Sequence, residues 1–372
     1  MILIKKLFIY LKRDTVKVDH ILQRENNNFN LLRLLAALGV IFGHSFFLFH
    51  SVHEEPVKGF LHFTYTGTLC VYIFFFVSGM LVTQSFFNTP NNFKFLIKRF
   101  ARIWPGLAVC LFLTVFVIGP IFTTIGIKGY FHNGQTRDYL ITNALLLNTR
   151  FYLPGLFEKN IFPGGVNGSL WTLPAEVRSY AWVWLLGITG ILKNRIYVLC
   201  LSLVILILFI FHVAYLNFFF SGIEKTTLFI FFVAGMLVYS FKDKIIINNF
   251  IGIGLFILFL LIKDHGIGAE VLFDIFLLYA TLCFSKSQFL KRIKFDFDYS
   301  YGIYIYGFLV QQIIAYKFDM SSYESMCLTI PITVIMAMFS WHFIEKPSLN
   351  LAKKITSNYR FGYFPNKKPH NQ

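Results

Sequence analysis

An arginine and a histidine stand eleven residues apart in a run from Phe29 to Phe49 that is otherwise almost wholly apolar. At about 100° per residue, eleven helical steps return to within roughly 20° of the starting direction. Arg33 and His44 therefore share one helix face, about 16 Å apart along the axis. Ionisable groups inside a membrane helix are costly and point to function. Histidine is also the side chain best matched to proton transfer near neutral pH. Gly43 and Ser45 flank the imidazole with small side chains, which leaves room for a reactant. A purely structural account stays open, with Arg33 a snorkelling anchor and His44 a packed histidine bonded to backbone.

Two further clusters carry polar groups with chemical potential. Lys98, Arg99 and Arg102 lie at the start of an apolar run. Arg99 and Arg102, at i and i+3, share a helix face and suit a two-sided grip on phosphate. Topological anchoring accounts for them equally well. Trp104 fits an interfacial aromatic belt, and Pro105 fits the first turn of a helix. The third cluster runs from Asn167 to Tyr180 and contains Trp171, Glu176 and Arg178. Glu176 falls about 13 Å into its span, and His44 about 22 Å into its own from the opposite surface. In a core of about 30 Å both reach similar depth, so Glu176 is expected beside His44. The alternative is a structural buried carboxylate. Glu176 and Arg178 point to different faces, and Asn167-Gly-Ser169 is a glycosylation sequon too close to the membrane for use.

Weaker signals follow. Tyr299 to Tyr306 either lines a polar crevice or packs through its small residues. Gln311 and Gln312 suit hydrogen bonding between helices. Ile344-Glu-Lys-Pro347 is expected to close the last span with an ion pair and a helix stop. His212, His265 and His342 read as membrane-edge histidines.

The elements that position these groups are membrane helices. The 372 residues are 56% hydrophobic, 19% aromatic and only 14% charged, against about 25% charged in ordinary domains. Apolar segments predict ten spans, near 29–50, 68–87, 103–127, 168–190, 196–216, 226–241, 245–263, 268–285, 299–316 and 324–345. Loops on one side hold 24 of the 34 Lys and Arg, those on the other 8. That asymmetry predicts an all-α, polytopic transmembrane bundle with both termini cytoplasmic, and it assigns the net charge of +16 to topology rather than nucleic acid. Residues 1–28 read as a basic cytoplasmic arm, 29–345 as the membrane domain and 346–372 as a basic cytoplasmic tail. The one long connection, 128–167, lies outside and holds an apolar piece, Tyr139 to Leu147, read as a short interfacial helix. Five isolated cysteines form neither a metal motif nor a disulfide framework, and no metal site is expected.

In this order, Arg33-x10-His44, Phe75-Phe-Val-Ser-Gly79, Arg99-x-x-Arg102 with Pro105, Trp171-Thr-Leu-Pro-Ala-Glu176, Ser300-Tyr-Gly-Ile-Tyr304 and Ile344-Glu-Lys-Pro347 resemble the acyltransferase-3 family of integral membrane acyltransferases. That family includes bacterial O-acetyltransferases of surface polysaccharides, and it has ten spans. The resemblance implies an acyl-CoA donor, usually acetyl-CoA, and a sugar hydroxyl or lipid-linked sugar as acceptor. It implies no permanently bound cofactor, and a bacterial cytoplasmic (inner) membrane location. It makes His44 essential and places Arg99 and Arg102 on the donor side, where the helix geometry adds Arg33 at the cytoplasmic edge. Trp171, Tyr301 and Tyr304 are expected to contact substrate. Two positions depart from the family pattern. Gly307 follows Tyr306 where many members place a histidine, and Val177 stands where many have a second acid. The fused extracytoplasmic domain of some members is not expected here.

In the resulting scheme His44 acts as general base or carries the acyl group, with Glu176 orienting it as a triad carboxylate does. A midplane His and Glu also suit a proton relay in a transporter, and a non-catalytic envelope-assembly protein is the third reading.

Overall fold

The computed structural model describes residues 15–89, 91–211, 222–291, 293 and 297–358. Among them, ten helices have fourteen residues or more: α1 (Phe29–Leu48), α2 (Thr66–Phe87), α3 (Asn92–Phe112), α4 (Leu173–Ile188), α5 (Arg195–Ile210), α6 (Ile223–Ser240), α7 (Asn249–Ile262), α8 (Ile267–Lys286), α9 (Ser300–Lys317) and α10 (Ser322–Ser340). Every predicted span thus has a helix. Five runs, those of α1, α2, α3, α8 and α10 with their continuations, are long and apolar enough to cross a membrane. This is an all-α membrane protein. Large apolar side chains such as Phe112, Ile121, Ile207 and Leu261 face outward, as a bilayer requires and water would penalise.

Several helix starts follow from local chemistry. The side chains of Asn91, Asn194 and Asn248 accept from the backbone N–H two residues on, satisfying donors that a helix start leaves open. Ser321 and Glu324 form a reciprocal capping box at the head of α10.

The core is built around α9, which is buried on nearly all sides. It packs between α1 and α10, with Gly302 against Ala337 and Gly307 against Ile41. Gln311 bonds Ile41 O and Ser45 Oγ, each at 2.9 Å, and Gln312 holds Phe162 O at 3.0 Å. Both glutamines therefore join helices and loop as expected. A second close contact joins α2 to α6. A Cβ at Gly79 would fall on the Phe232 carbonyl, and one at Gly235 on the Phe76 carbonyl.

The structure corrects several local expectations. Pro105 lies inside α3, which starts thirteen residues earlier at Asn92; the charged face of 92–102 is helical, so the apolar run marks the span and not the helix. The chain does not stop at Glu345-Lys-Pro347. A π-turn, Trp341–Glu345, leads into a further helix, Lys346–Asn358, which packs along α3. Proline at the second position of that new helix lacks only an N–H that a helix start leaves unpaired anyway. The apolar piece at 139–147 belongs to a longer helix, Gly134–Leu145, preceded by Gly126–His132. In the N-terminal arm, β1 (Val16–Lys17) pairs antiparallel with β2 (Ile246–Ile247), so α7 begins after the strand. The arm's first fourteen residues, His212 and the tail beyond 358 lie outside the described residues.

The glycine contact predicts a specific loss. Gly79→Val forces α2 and α6 apart and is expected to cost about 1–3 kcal/mol. A lower melting temperature of the detergent-solubilised protein, with Ser78→Ala near wild type, is the measurement.

Candidate active site

Helix α1 places Arg33 near one end and His44 near the other, and each lines a different cavity. At the Arg33 end the dominant feature is Asp298, in the connection just before α9. Arg33 Nη1 and Arg102 Nη2 both reach Asp298 Oδ2, at 2.6 and 2.7 Å, and Ser300 Oγ donates to Oδ1 at 2.5 Å. Burial would push this carboxyl up, but Arg102, Arg33 and Ser300 outweigh it and hold it well below the usual carboxylate range. Arg102 also stands 3.7 Å from Glu345, which accepts from Ser340 at 2.9 Å. Its guanidinium lies over the Tyr301 ring, 5.6 Å from the centroid.

Arg99 is differently placed. Its guanidinium sits over the rings of Tyr180 and Phe95, and Nη2 donates to Ser85 Oγ at 3.2 Å. Its Nε is buried without a hydrogen-bond partner among the described residues. Glu176 accepts from the Tyr180 hydroxyl and lines the same narrow cavity, of about 40 Å³, as Arg33, Arg102, Tyr301 and Tyr304.

His44 lines the second cavity, of about 850 Å³, together with Tyr65, Tyr72, Trp171 and Phe308. Phe308 stands edge-on to the imidazole with centroids 5.2 Å apart. The Nδ1 atom is buried with no hydrogen-bond partner among the described residues. A buried imidazole nitrogen left unbonded costs free energy, so the backbone-bonded histidine of the structural account is not what the fold contains. The room beside it does not come from its small neighbours. A Cβ at Gly43 would lie 2.7 Å from Gly67 N, and Ser45 is fully buried with its Oγ on Ile41 O.

A thin layer separates the two cavities. Val71 lines both, while Trp171 faces the large one and Thr172 the small one. Thr172 Oγ1 and Tyr304 OH meet at 2.7 Å within it, and the Tyr301 hydroxyl donates to Ile103 O at 2.7 Å. Glu176 therefore lies on the opposite side of this layer from His44, and the pairing expected from depth is not formed. The reason is local. Asn167 is already fully buried, its amide donating to Ile305 O at 2.8 Å. A 3₁₀ turn, Gly168–Thr172, then rises about 2 Å per residue, more than an α-helix, before α4 begins. Burial of Asn167 also removes the sequon from use. Arg178, one face away, donates to Leu147 O at 2.6 Å.

Of the expected site residues, the fold brings Arg33, Arg102, Glu176, Tyr301 and Tyr304 together, sets Arg99 beside them, and puts His44 and Trp171 in the other cavity. Asp298 and Glu224, the latter on the wall of the large cavity, escape the sequence reading, and Glu345, expected in an ion pair at the end of the last span, faces Arg102. For Asp298 the signal was its position as the acid nearest the Ser300-Tyr motif in a basic loop, since membrane-edge arginines need a counter-charge. Among the described residues no cluster of three His, Cys, Asp or Glu suits a metal.

The model of the acyltransferase-3 family, an acyltransferase domain, matches residues 26–344. The chain belongs to that family. It is thus an acyltransferase, which sets aside the transporter and scaffold readings. A protein named O-acetyl transferase from Shigella phage Sf6 is 28% identical over 335 residues, 87% of this chain and 96% of the phage protein. Nodulation protein 10 of Rhizobium leguminosarum bv. viciae is 35% identical over 162 residues, 41% of this chain and 42% of its own. Acyltransferase MdmB of Streptomyces mycarofaciens is 28% identical over 149 residues, 40% and 36% of the two chains. No solved structure matches.

The shared carboxylate carries a testable consequence. Asp298→Asn leaves two guanidiniums short of charge and is expected to destabilise by about 3–5 kcal/mol. Because the folded carboxyl is depressed, its contribution is complete above the unfolded value of about 3.9 and fades as pH falls below that. Melting temperatures of wild type and variant should therefore differ at pH 7 and at pH 5, and converge only in stronger acid.

Proposed function

We propose that this acyltransferase moves an acyl group, acetyl in the simplest case, from cytoplasmic acyl-CoA to a hydroxyl of a cell-surface glycan or its lipid-linked precursor. The observation that carries the reading is His44: a buried, unbonded imidazole nitrogen on a cavity wide enough for a sugar, on the helix that carries Arg33 into the arginine cluster. The excess of Lys and Arg in alternate loops supports an inner-membrane protein with the Arg33 end toward the cytoplasm.

Donor phosphates are assigned to that end. Arg99 has a hydroxyl as its polar partner and a spare Nε. Arg33 and Arg102 hold Asp298 with only some of their five N–H groups, so each can share a phosphate oxygen. The acyl arm then has to pass the Val71–Thr172–Tyr304 layer to reach His44. Glu176, bonded to Tyr180 beneath Arg99, acts here as a positioning residue for the donor side. Trp171 faces the acceptor from the far side of the layer, and Tyr301 and Tyr304 line the donor path.

Two routes conserve atoms and charge. In the first, neutral His44 takes the proton of the acceptor hydroxyl as its oxygen attacks the thioester carbonyl. The carbon–sulfur bond then breaks, and the CoA thiolate takes the proton back from the imidazolium. In the second, the imidazole attacks the thioester and CoA leaves as the thiol; the acyl-imidazole then gives its acyl group to the hydroxyl.

His44→Ala is expected to lower transfer by about 10²–10⁴-fold, the range of a lost general base, in protein that still inserts and melts normally. Retained activity would falsify the role of His44. Arg99→Ala is expected to raise KM for acetyl-CoA about tenfold with kcat nearly kept, the size of a lost charge-assisted hydrogen bond. Acid quench of a single turnover without acceptor separates the routes: label on protein means the second.

A further inference from the structure

The His44 cavity has a wall that the transfer steps leave unused. Glu224 and Lys225 open α6, and both line the cavity. Lys225 is buried, with Nζ 3.5 Å from Asn148 Oδ1, so this cation is held within the wall. Glu224 is exposed, and its carboxylate has neither a hydrogen bond nor an ion pair among the described residues. Tyr65 and Tyr72 line the same cavity. The Tyr65 phenol, ahead of α2, is pushed above its usual range by burial, against a hydrogen bond with Thr68, and Glu224 and Glu55 add to the rise. It is thus a neutral donor at working pH.

A cavity of about 850 Å³ falls within the ordinary range for bound small molecules. Its walls combine phenol and indole rings, which cover the apolar faces of a pyranose, with one accessible carboxylate. An ionised carboxylate accepts strong hydrogen bonds from hydroxyls and has no proton to donate. A neutral sugar satisfies it. A sugar bearing its own carboxylate meets like charge at Glu224, while the cation on the same wall, Lys225, is buried and turned to Asn148.

We propose that Glu224 is a specificity-determining residue of the acceptor site, accepting hydrogen bonds from hydroxyls of a neutral pyranose beside the one that reacts at His44 and rejecting acidic sugars. This rests on the acyl-transfer reading of His44. Glu224 touches acceptor only; no bond is made or broken at it.

The experiment uses the full chain in lipid nanodiscs with labelled acetyl-CoA. Two acceptors of like shape, p-nitrophenyl β-glucoside and p-nitrophenyl β-glucuronide, are compared for wild type, Glu224→Gln and Glu224→Asp. Wild type is expected to acetylate the glucoside in preference. Glu224→Gln should raise the glucoside KM about tenfold, leave the acetyl-CoA KM within about twofold, and raise the glucuronide-to-glucoside ratio about tenfold or more. Glu224→Asp, which keeps the charge, should recover part of the wild-type ratio. A residue that merely held the helix would shift both KM values and leave the ratio alone. A wild-type preference for glucuronide, or an unchanged ratio in Glu224→Gln, overturns the role of Glu224 while acyl transfer stands. Failure of the wild type to acetylate either glycoside overturns the glycan-acceptor reading and this inference with it.

Discussion

One carboxylate oxygen of Asp298 is shared by the guanidiniums of Arg33 and Arg102, and the arrangement of this end of the bundle depends on that sharing. Charges removed from water are tolerated only when paired and hydrogen-bonded. Arg33 comes from α1, Arg102 from α3, and Asp298 leads into α9. Glu345, beyond α10, adds a second carboxylate to Arg102. Four helices are thereby tied to one charge cluster. With Arg99 and Glu176 included, three guanidiniums face three carboxyl groups.

The rest of the site inherits its geometry from this anchor. Because α1 is held at Arg33, His44 is carried a fixed distance along the same helix into a chamber of different character. The small chamber is lined by charges, hydroxyls and phenols; the large one mostly by rings, with His44, Glu224 and Lys225 among them. Small residues set how closely the helices approach, as Gly43 does against Gly67 and Gly79 against Phe232. The layer between the chambers holds the Thr172–Tyr304 hydrogen bond.

Much of this was legible in the chain. Hydropathy located all ten helices, the eleven-residue spacing put Arg33 and His44 on one helix, and Gln311 and Gln312 announced a helix contact. These succeed because period, hydropathy and hydrogen-bonding capacity are properties of short segments. Expectations failed where a segment's limits were judged from apolarity alone. The helix through Pro105 begins in charged sequence, and the helix after Pro347 is polar, so neither boundary shows in hydropathy. The depth of Glu176 failed because Asn167 starts its segment already inside the protein.

By itself, then, the sequence determined an apolar helical bundle, the family, and which side chains are too costly to be idle. It could not determine their partners. Arg33 and Asp298 lie 265 residues apart, and Arg102 and Asp298 lie 196 apart; Glu224 reaches the His44 cavity from a helix far along the chain. Which charges meet across such separations is decided by how helices pack and by where a buried loop lets a segment begin. Only the tertiary structure therefore placed Glu176 with Tyr180 and left the His44 imidazole facing open space.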